Sequence, residues 1–263
     1  MDNMLKNKFD LIVSLGKDCA CTSYLRKCGL QYNSYPFDWL TYAPFANRIK
    51  LVVEDFKDFL NLEDLKMMQK PTEFGSDPNN DYYENISNQL YFWHDFPTGI
   101  PLEESYPEVN AKYQRRIKRL YEKIEQAQKI LFVWFAHNSL QKIDDIRDAY
   151  KKLKEKFEDK EVYLLVIENC QKEEFAELEN NHVLVIHTDT MSCIKKQHFN
   201  PTLGNKVKNR KLFRKIKIKR TFFDKIKRIL YIICKIAISL VPNSNIRTRA
   251  NERVQMFFYH AKL

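Results

Sequence analysis

Glycine is scarce in this sequence, with 5 residues among 263. Phosphate-binding loops need closely spaced glycines, and the sequence contains no such run, so no nucleotide-binding loop is predicted. An HExxH motif and paired Cys-x-x-Cys motifs are also missing. Cys19 and Cys21 are too close together and too isolated to act as a zinc ligand pair. We therefore expect a protein that uses no metal and no other cofactor.

An apolar leader is missing as well. The first ten residues, MDNMLKNKFD, contain no hydrophobic region of the kind that secretory signals carry. The six cysteines are widely scattered, and Cys170, Cys193 and Cys234 lie in or beside apolar runs. In a chain without an export signal, such cysteines are typical of reduced thiols. We therefore expect a cytoplasmic protein.

The residues that are present favour an α/β domain. Hydrophobic residues make up 44% of the chain, which is enough for a sizeable core. Four apolar, β-branched runs indicate strands: Phe9–Leu15, Lys129–Ala136, Glu161–Ile167 and Val183–His187. Helical patterns lie between or before them: Ala20–Cys28, Ala111–Gln128, Gln141–Phe157 and a short one at Lys172–Glu179. Strands that alternate with helices predict a mostly parallel sheet with flanking helices.

Two stretches fall outside this alternation. Residues 36–107 are aromatic-rich and broken by prolines, and we interpret them as helices and loops that cover one edge of the sheet. Asn200-Pro201 and Gly204 interrupt the chain further on. We therefore predict a catalytic-like domain over residues 1–203 and a helical C-terminal appendage over residues 204–263.

Cys19 is the best candidate for a reactive group. Ligands of open α/β sheets bind beyond the carboxyl ends of the strands, where Gly16, Lys17, Asp18 and Cys19 follow the first predicted strand. Cys19 would begin the next helix, whose dipole, together with the charge of Lys17, favours a thiolate. Backbone groups of Gly16, Lys17 and Asp18 are candidates for holding an oxyanion or substrate. The alternative is that Cys19 is a small packing residue in a tight turn.

The same region resembles a known family. Its segments are Ser14-Leu15-Gly16-Lys17-Asp18-Cys19, Leu25–Leu30 (LRKCGL), Tyr35-Pro36-Phe37-Asp38-Trp39 and His94-Asp95-Phe96. They are similar to the SLG-x-x-C, PFDW and HDF elements of a bacterial domain family of unknown function described as papain-like cysteine peptidases. The resemblance extends from about residue 10 to about residue 190. It implies that Cys19 is a nucleophile and that a histidine is its partner.

Three histidines are candidates for that partner. His94 ranks first because of the motif, within an aromatic run beside Asp95. His137 ranks second because it directly follows a predicted strand and would share a sheet edge with Cys19, and His187, also at a strand end, ranks third. Asp38 lies between two large aromatic residues, where it either orients an imidazole or caps a local helix.

These features predict acyl chemistry, with a cysteine attacking a carbonyl group. The resemblance implies peptide hydrolysis. The strand–helix alternation leaves open an esterase or acyltransferase acting on a polysaccharide or lipid-linked glycan at the membrane face. A non-catalytic, membrane-attached binding module is the alternative of another class.

The C-terminal part carries the positive charge of the chain. Residues 205–235 contain thirteen Lys or Arg and one acid, a net charge of +12, whereas the whole chain carries +10. A capping-box pattern at Thr221–Asp224 precedes apolar residues spaced as one helical stripe: Phe222, Ile226, Ile229, Ile233, Ile236 and Leu240. The stripe is too short to span a bilayer, and it indicates a helix that lies on an anionic membrane or packs on the core. The residues expected to bind the membrane are Phe222, Phe223, Lys225, Ile226 and Arg228. Nucleic acid is a weaker candidate, because no reading module is visible.

Overall fold

The computed structural model describes residues 3–69 and 78–259. Its helices are α1 Asn3–Lys6, α2 Cys19–Lys27, α3 Phe45–Val53, α4 Leu102–Gln126, α5 Ile143–Lys156, α6 Lys206–Phe213, α7 Phe222–Ser239 and α8 Ser244–Tyr259. Its strands are β1 Lys8–Phe9, β2 Leu11–Lys17, β3 Thr41–Tyr42, β4 Leu65–Met68, β5 Asn80–Asn85, β6 Leu90–Pro97, β7 Lys129–Ala136, β8 Glu161–Asn169, β9 Glu174–Leu178, β10 Val183–Thr188, β11 Phe199–Asn200, β12 Gly204–Asn205 and β13 Lys217–Ile218.

A five-stranded sheet in the order β2-β7-β8-β10-β9 lies at the centre of the molecule. β2, β7, β8 and β10 pair in parallel, and β9 pairs antiparallel with β10 at one edge. The prediction of an α/β protein is confirmed. The prediction of a mostly parallel sheet needs correction, because the central sheet is mixed and a second, four-stranded sheet is antiparallel.

Both faces of the central sheet are buried, which explains why its strands are apolar at nearly every position. Side chains such as Trp134 and Leu164 point to one face, which α3, α4, α5 and the antiparallel sheet cover. Their neighbours in the sequence, such as Phe135 and Leu165, point to the other face, which α1, α2 and α6 cover. The alternation follows the two-residue period of a strand and gives a layered domain.

The region predicted as helices and loops contains the antiparallel sheet, in the order β3-β6-β5-β4, together with α3. Residues 70–77 of that stretch lie outside the described residues. Phe92 and Phe96 of β6 point inward onto Tyr113 and Tyr83, and these rings belong to the same buried core as Trp134 and Leu164. Isolated hairpins are marginally stable, so this pairing depends on packing against α4 that no local pattern reveals.

The short helix predicted over Lys172–Glu179 is a strand instead, β9. Glu179, Asn180 and Asn181 adopt positive φ angles of 50°, 54° and 67° and reverse the chain into β10. Asn tolerates this left-handed conformation better than most residues do. The resulting hairpin outweighs the helix propensity of the Glu- and Ala-containing segment.

The chain packed with the core continues beyond the predicted boundary at residue 204. Phe213 and Ile216 are buried against the face that α2 covers. β13 then pairs in parallel with β1, and Lys219 N–H donates to the carbonyl oxygen of Phe9 at 2.7 Å. The segment that projects from the domain therefore begins near Thr221, where α7 starts with the predicted capping box of Thr221 and Asp224. None of the described helices is long and apolar enough to cross a membrane.

Candidate active site

Cys19 lies where β2 passes into α2. β2 ends at Lys17, Asp18 is the N-cap, and Cys19 is the first helical residue. The Asp18 carboxylate accepts a hydrogen bond from Ala20 N–H at 2.7 Å, which satisfies a donor that helix formation leaves without a partner. The helix ends at Lys27, with Cys28 as its C-cap, and Gly29 follows with φ +66°. The path from strand to turn to helix is the one that the sequence predicts.

The electrostatic surroundings of Cys19 differ from the expectation. Burial, together with the neighbouring Asp18 carboxylate, raises the pKa of the Cys19 thiol to about 12. The Lys17 ammonium donates to Asn138 Oδ1 at 2.9 Å and lies 5.6 Å from the centre of the Tyr42 ring. A helix N-terminus supplies the equivalent of about half a positive charge, too little to offset both effects. The thiol is therefore protonated at neutral pH.

Asp18 is the titratable group next to this thiol. Burial raises the pKa of its carboxyl group to about 6, and the Ala20 N–H and the charges of Arg48 and Lys17 act in the opposite direction. A carboxyl group with a pKa near neutrality can both accept and release a proton under physiological conditions. Asp18 is thus a titratable group that is adjacent in the chain to the candidate nucleophile and influences its pKa.

Arg48 is a residue of the site that the sequence reasoning missed. Its side chain is fully buried, and its guanidinium group donates to the carbonyl oxygens of Lys17 at 2.7 Å and Leu40 at 3.1 Å. Burial lowers its pKa to about 9. The signal for it was present, because Arg48 stands on the buried face of α3 with Phe45, Ile49 and Val52. A charged residue on an apolar stripe needs a specific partner.

Gly16 makes room for this guanidinium group. It has a φ of +99°, and a Cβ atom added there would lie 2.3 Å from Arg48 Nη1. Arg48 in turn stacks on the Phe37 ring, with 5.0 Å between the guanidinium carbon and the ring centre. Gly16, Arg48 and Phe37 together fix the turn that presents Cys19.

Asp38 is fully buried and belongs to the same framework. Its carboxylate accepts hydrogen bonds from Thr22 Oγ1 and Arg26 Nη2 of α2, each at 3.0 Å, and from Gln31 and the Tyr35 backbone N–H. Among the contacts described for Asp38 there is no imidazole. It closes the 3₁₀ turn Pro36–Trp39 onto α2, so of the two interpretations open from the sequence its contacts favour the capping one.

Gly16, Lys17 and Asp18 each use one polar group to hold the turn in place. Gly16 N–H donates to Ser14 Oγ at 3.2 Å, the Lys17 carbonyl oxygen accepts from Arg48, and the Asp18 carboxylate caps α2. These residues shape the approach to Cys19. Their role in holding an oxyanion stays a prediction.

His137 shares a face of the sheet with α2 but is held in place by other residues. Its Nδ1 lies 2.7 Å from Thr190 Oγ1 and its Nε2 lies 3.0 Å from the Thr202 carbonyl oxygen. Burial lowers its pKa to about 4, so the ring is neutral, with Nε2–H donating to Thr202 and Nδ1 accepting from Thr190. Both ring nitrogens are therefore occupied in linking β7 to the loop that follows β10.

His94 is exposed on β6 of the antiparallel sheet. Between Phe92 and Phe96 this strand has two more residues than its partner β5, and bulges of this kind redirect side chains. Asp95, next to it, binds Lys112 Nζ at 2.7 Å and Tyr113 Oη at 3.0 Å. The carboxylate beside His94 is thus engaged with α4.

His187 lies at the carboxyl end of β10, with its Nε2 3.5 Å from Glu168 Oε2 and its Nδ1 3.8 Å from Glu174 Oε2. Glu168 also accepts from Trp134 Nε1 at 3.0 Å, and burial raises the pKa of this carboxyl group. By the alternation along β10, His187 points to the face opposite the one that α2 covers. The three candidate histidines thus occupy three different surroundings.

Comparisons with known proteins bear on the region that contains Cys19. Residues 10–190 match the family described as "Putative papain-like cysteine peptidase (DUF1796)". The chain belongs to this family. An uncharacterised protein of Acanthamoeba polyphaga mimivirus is 28% identical over 134 residues, which cover 47% of this chain and 60% of that protein. The chain thus aligns with less than two thirds of that relative's length. No solved structure matches the chain.

The match to the cysteine peptidase family covers Cys19, Asp38, Arg48 and all three candidate histidines. The match ends before α6, so residues 205–235, which carry the net charge of +12, and the helices α7 and α8 lie outside the matched residues. The family membership therefore supports cysteine chemistry in the layered domain and leaves the role of the C-terminal helices to physical argument.

Proposed function

We propose that this chain is a thiol-dependent hydrolase of acyl bonds, a cysteine peptidase in the sense of its family, with Cys19 as the nucleophile. The position of Cys19 supports this proposal most directly. It is the first residue of a helix at the carboxyl end of a parallel strand, with its backbone fixed by Asp18 and by the Gly16–Arg48 contact. This is the place where open α/β sheets carry their reactive groups.

In the proposed reaction the Cys19 sulfur attacks the substrate carbonyl carbon while the thiol proton moves to a base. The amine or alcohol leaving group departs with a proton, and water then hydrolyses the thioester to a carboxylic acid and the free thiol. We propose Asp18 as the base, because it is adjacent to Cys19 in the chain and its pKa is raised toward neutrality. Burial raises the pKa of both groups and the ionised Asp18 raises that of the thiol further, so this proton transfer is uphill, but it neutralises Asp18 and removes the repulsion that disfavours the thiolate.

Replacing Cys19 tests this proposal. We expect Cys19→Ser to abolish hydrolysis of denatured protein, peptide amides and activated esters while the melting temperature stays unchanged. Cys21→Ser is the matched control, because Cys21 is a buried thiol on the same helix whose pKa burial also raises to about 12. Full activity of the Cys19→Ser protein would remove Cys19 from the mechanism.

The acceptor of the acyl group distinguishes a peptidase or esterase from an acyltransferase. Transfer to a sugar hydroxyl of a polysaccharide or lipid-linked glycan uses the same thioester and differs only in the second step. Product analysis with and without added glycan decides between them. A peptidase releases acid at the same rate in both samples, and a transferase yields acylated glycan.

A non-catalytic binding module is the second candidate, and the high thiol pKa favours it. In that case Cys19 is a packing residue, and iodoacetamide should label it as slowly as it labels Cys21 at every pH. In a hydrolase, a substrate-like peptidyl vinyl sulfone should modify Cys19 much faster than Cys21. Selective modification of Cys19 by that reagent would exclude the binding module.

A further inference from the structure

The α7 helix carries its apolar residues on the side that faces away from the domain. Phe222, Phe223 and Leu240 are 72%, 79% and 76% exposed. Four further apolar side chains on the same side are also exposed: Ile226, Ile229, Ile233 and Ile236. At 100° per residue these positions form one continuous stripe along a helix of 18 residues, about 27 Å long.

The opposite side of α7 is attached to the domain by polar contacts. Arg228 Nη1 donates to the Cys28 carbonyl oxygen at 3.1 Å, and Arg220, just before α7, donates to the Gly29 carbonyl oxygen at 3.3 Å. Both arginines therefore cap the C-terminus of α2, where cations are favourable. Ile238 is buried, and Tyr231 packs edge-to-face on Phe258 of α8 at 5.6 Å. These contacts set which side of α7 is turned outward.

Positive charge surrounds the attachment of α7. A cavity of about 370 Å³ between α2, α6 and α7 is lined by six cations and no acid within the described part of the chain: Arg26, Lys27, Arg210, Lys227, Arg228 and Lys235. Arg26 is paired with Asp38. Burial and the charges of Lys206 and Arg210 lower the pKa of Lys27, which shows that like charges crowd there. A second cavity, of about 670 Å³, adds Arg214, Lys217 and Lys225.

We infer that α7 docks on the surface of a bilayer containing anionic lipids, with the Phe222–Leu240 stripe among the acyl chains and the flanking cations on the lipid phosphates. An exposed apolar stripe of this length gains free energy by leaving water. Each Lys or Arg near an anionic surface adds attraction, so the +12 segment and the stripe act together.

The positive charge also favours an anionic bilayer over a second copy of the chain or nucleic acid as the partner of α7. A second copy of the chain would bring another +12 segment against the first, and the two would repel each other. Nucleic acid would satisfy the cations and leave the phenylalanines and isoleucines in water. An anionic bilayer satisfies both features.

Vesicle binding by the 263-residue chain tests the inference. We expect it to sediment with vesicles of phosphatidylcholine and phosphatidylglycerol and to bind vesicles of phosphatidylcholine alone at least tenfold more weakly. Replacing Phe222, Phe223 and Ile226 by Ser should reduce binding at least tenfold even at low salt. The matched control is replacement of Met67 and Leu140 by Ser, two exposed apolar residues on other surfaces, which should leave binding unchanged.

The cations are tested separately. Lys217→Gln with Lys225→Gln should weaken binding several-fold, whereas Lys151→Gln with Lys154→Gln on the exposed side of α5 should not. Raising the ionic strength from about 0.1 M to about 1 M shortens the screening length from about 10 Å to about 3 Å and should release part of the protein.

Three results would overturn the inference. The first is unchanged vesicle binding by the triple Ser variant with an unchanged melting temperature. The second is a concentration-dependent dimer that the Ser substitutions abolish, without vesicle binding. The third is binding to double-stranded DNA that survives the Ser substitutions, without vesicle binding. All three leave the proposed chemistry of Cys19 untouched, because hydrolysis is measured without vesicles.

Discussion

Asp18 and Cys19 are adjacent in the chain, and the negative charge of the Asp18 carboxylate disfavours the negative charge of a Cys19 thiolate. The Asp18 carboxylate helps to raise the pKa of the thiol to about 12, after burial as the first cause. Asn caps helices about as well as Asp, so Asp18→Asn removes the charge and keeps the cap. We expect iodoacetamide to alkylate Cys19 at least several-fold faster at pH 8 in the Asp18→Asn protein.

The control for this experiment is Asp189→Asn. Asp189 also accepts backbone hydrogen bonds, from Met191 at 3.0 Å and Ser192 at 2.8 Å, but it caps a different loop. The Asp189→Asn substitution should leave the rate at which Cys19 is alkylated unchanged. If Asp18→Asn slows hydrolysis while it speeds alkylation, Asp18 is the base. If Asp18→Asn changes neither the rate of hydrolysis nor the rate of alkylation, Asp18 only caps the helix.

Asp18 also makes stability depend on pH. Its pKa rises from 3.8 in the unfolded chain to about 6 in the folded protein, so the folded state holds the proton more tightly. This contribution to stability is present at low pH and is lost as the pH rises through 6. The melting temperature of the Asp18→Asn protein should therefore gain on that of the wild type between pH 4 and pH 7. A constant difference over this range contradicts the shifted pKa.

Gly16 and Gly99 offer a matched pair, since both have positive φ angles, +99° and +83°. Within residues 3–69 and 78–259, no atom outside the chain neighbours of Gly99 lies within 4 Å of a Cβ added there, whereas a Cβ added at Gly16 would clash with Arg48. Gly99→Ala should lower the free energy of unfolding by about 1–2 kcal/mol through backbone strain. Gly16→Ala should lower it by at least about 2 kcal/mol more, because the buried arginine has to move. Equal losses in urea unfolding would show that the Gly16–Arg48 contact is unimportant.

Local sequence signals account for part of the site. The turn after β2, the cap at Asp18 and the Gly29 terminus of α2 follow from short-range rules and were predictable. The Gly16–Arg48 contact joins residues that only the packed fold brings together, and so does the Asp38 network with Thr22 and Arg26. The high pKa of Cys19 depends on the same burial, which no spacing in the sequence shows.

At the scale of elements, the loop after β10 is fastened through His137, whose ring bridges Thr190 and Thr202. His137→Ala would take one hydrogen bond from the Thr202 carbonyl oxygen and one from Thr190 Oγ1, which would keep its contact with Asn169 Oδ1 at 3.1 Å. We expect the free energy of unfolding to fall by about 2–4 kcal/mol. His94→Ala, at an exposed position, should change it by about 0.5 kcal/mol or less.

The two histidine variants also separate structure from catalysis. A variant of His94 that folds normally but loses hydrolysis supports the motif-based ranking. If the His137 variant loses hydrolysis only to the extent that it loses stability, His137 has the structural role that its two hydrogen bonds indicate. Full activity in both variants, measured below their melting temperatures, leaves Asp18 and His187 as the remaining candidates for the proton acceptor.

Element type was predictable where a strand is buried on both faces, as in β7 and β8, and less so at the margins. β9 is a strand because the Asn180-Asn181 turn folds it onto β10, and the antiparallel sheet exists because β6 packs on α4. β9 thus depends on pairing with its neighbour β10, and the antiparallel sheet depends on packing between distant segments. Strand preference is governed by such context.

For the molecule as a whole, the compact part extends past the boundary predicted at residue 204. A chain ending at Arg220 keeps Phe213, Ile216 and β13, whereas one ending at Gly204 loses them. Removing one buried Phe side chain alone destabilises a core by about 3–5 kcal/mol. We expect the chain ending at Arg220 to be monomeric and cooperatively folded on gel filtration and thermal unfolding. The shorter chain should aggregate, and equal melting temperatures would contradict this packing.

The central claim is that Cys19 forms a covalent acyl intermediate, and mass spectrometry of an acid-quenched reaction tests it most directly. The protein is mixed with an activated peptide ester, quenched, digested and compared with its Cys19→Ser and Cys21→Ser variants. The account predicts an acyl group on the peptide that contains Cys19 in the wild type and in Cys21→Ser, and none in Cys19→Ser. Turnover of the ester with an unmodified Cys19, or an acyl group on another residue, would contradict it.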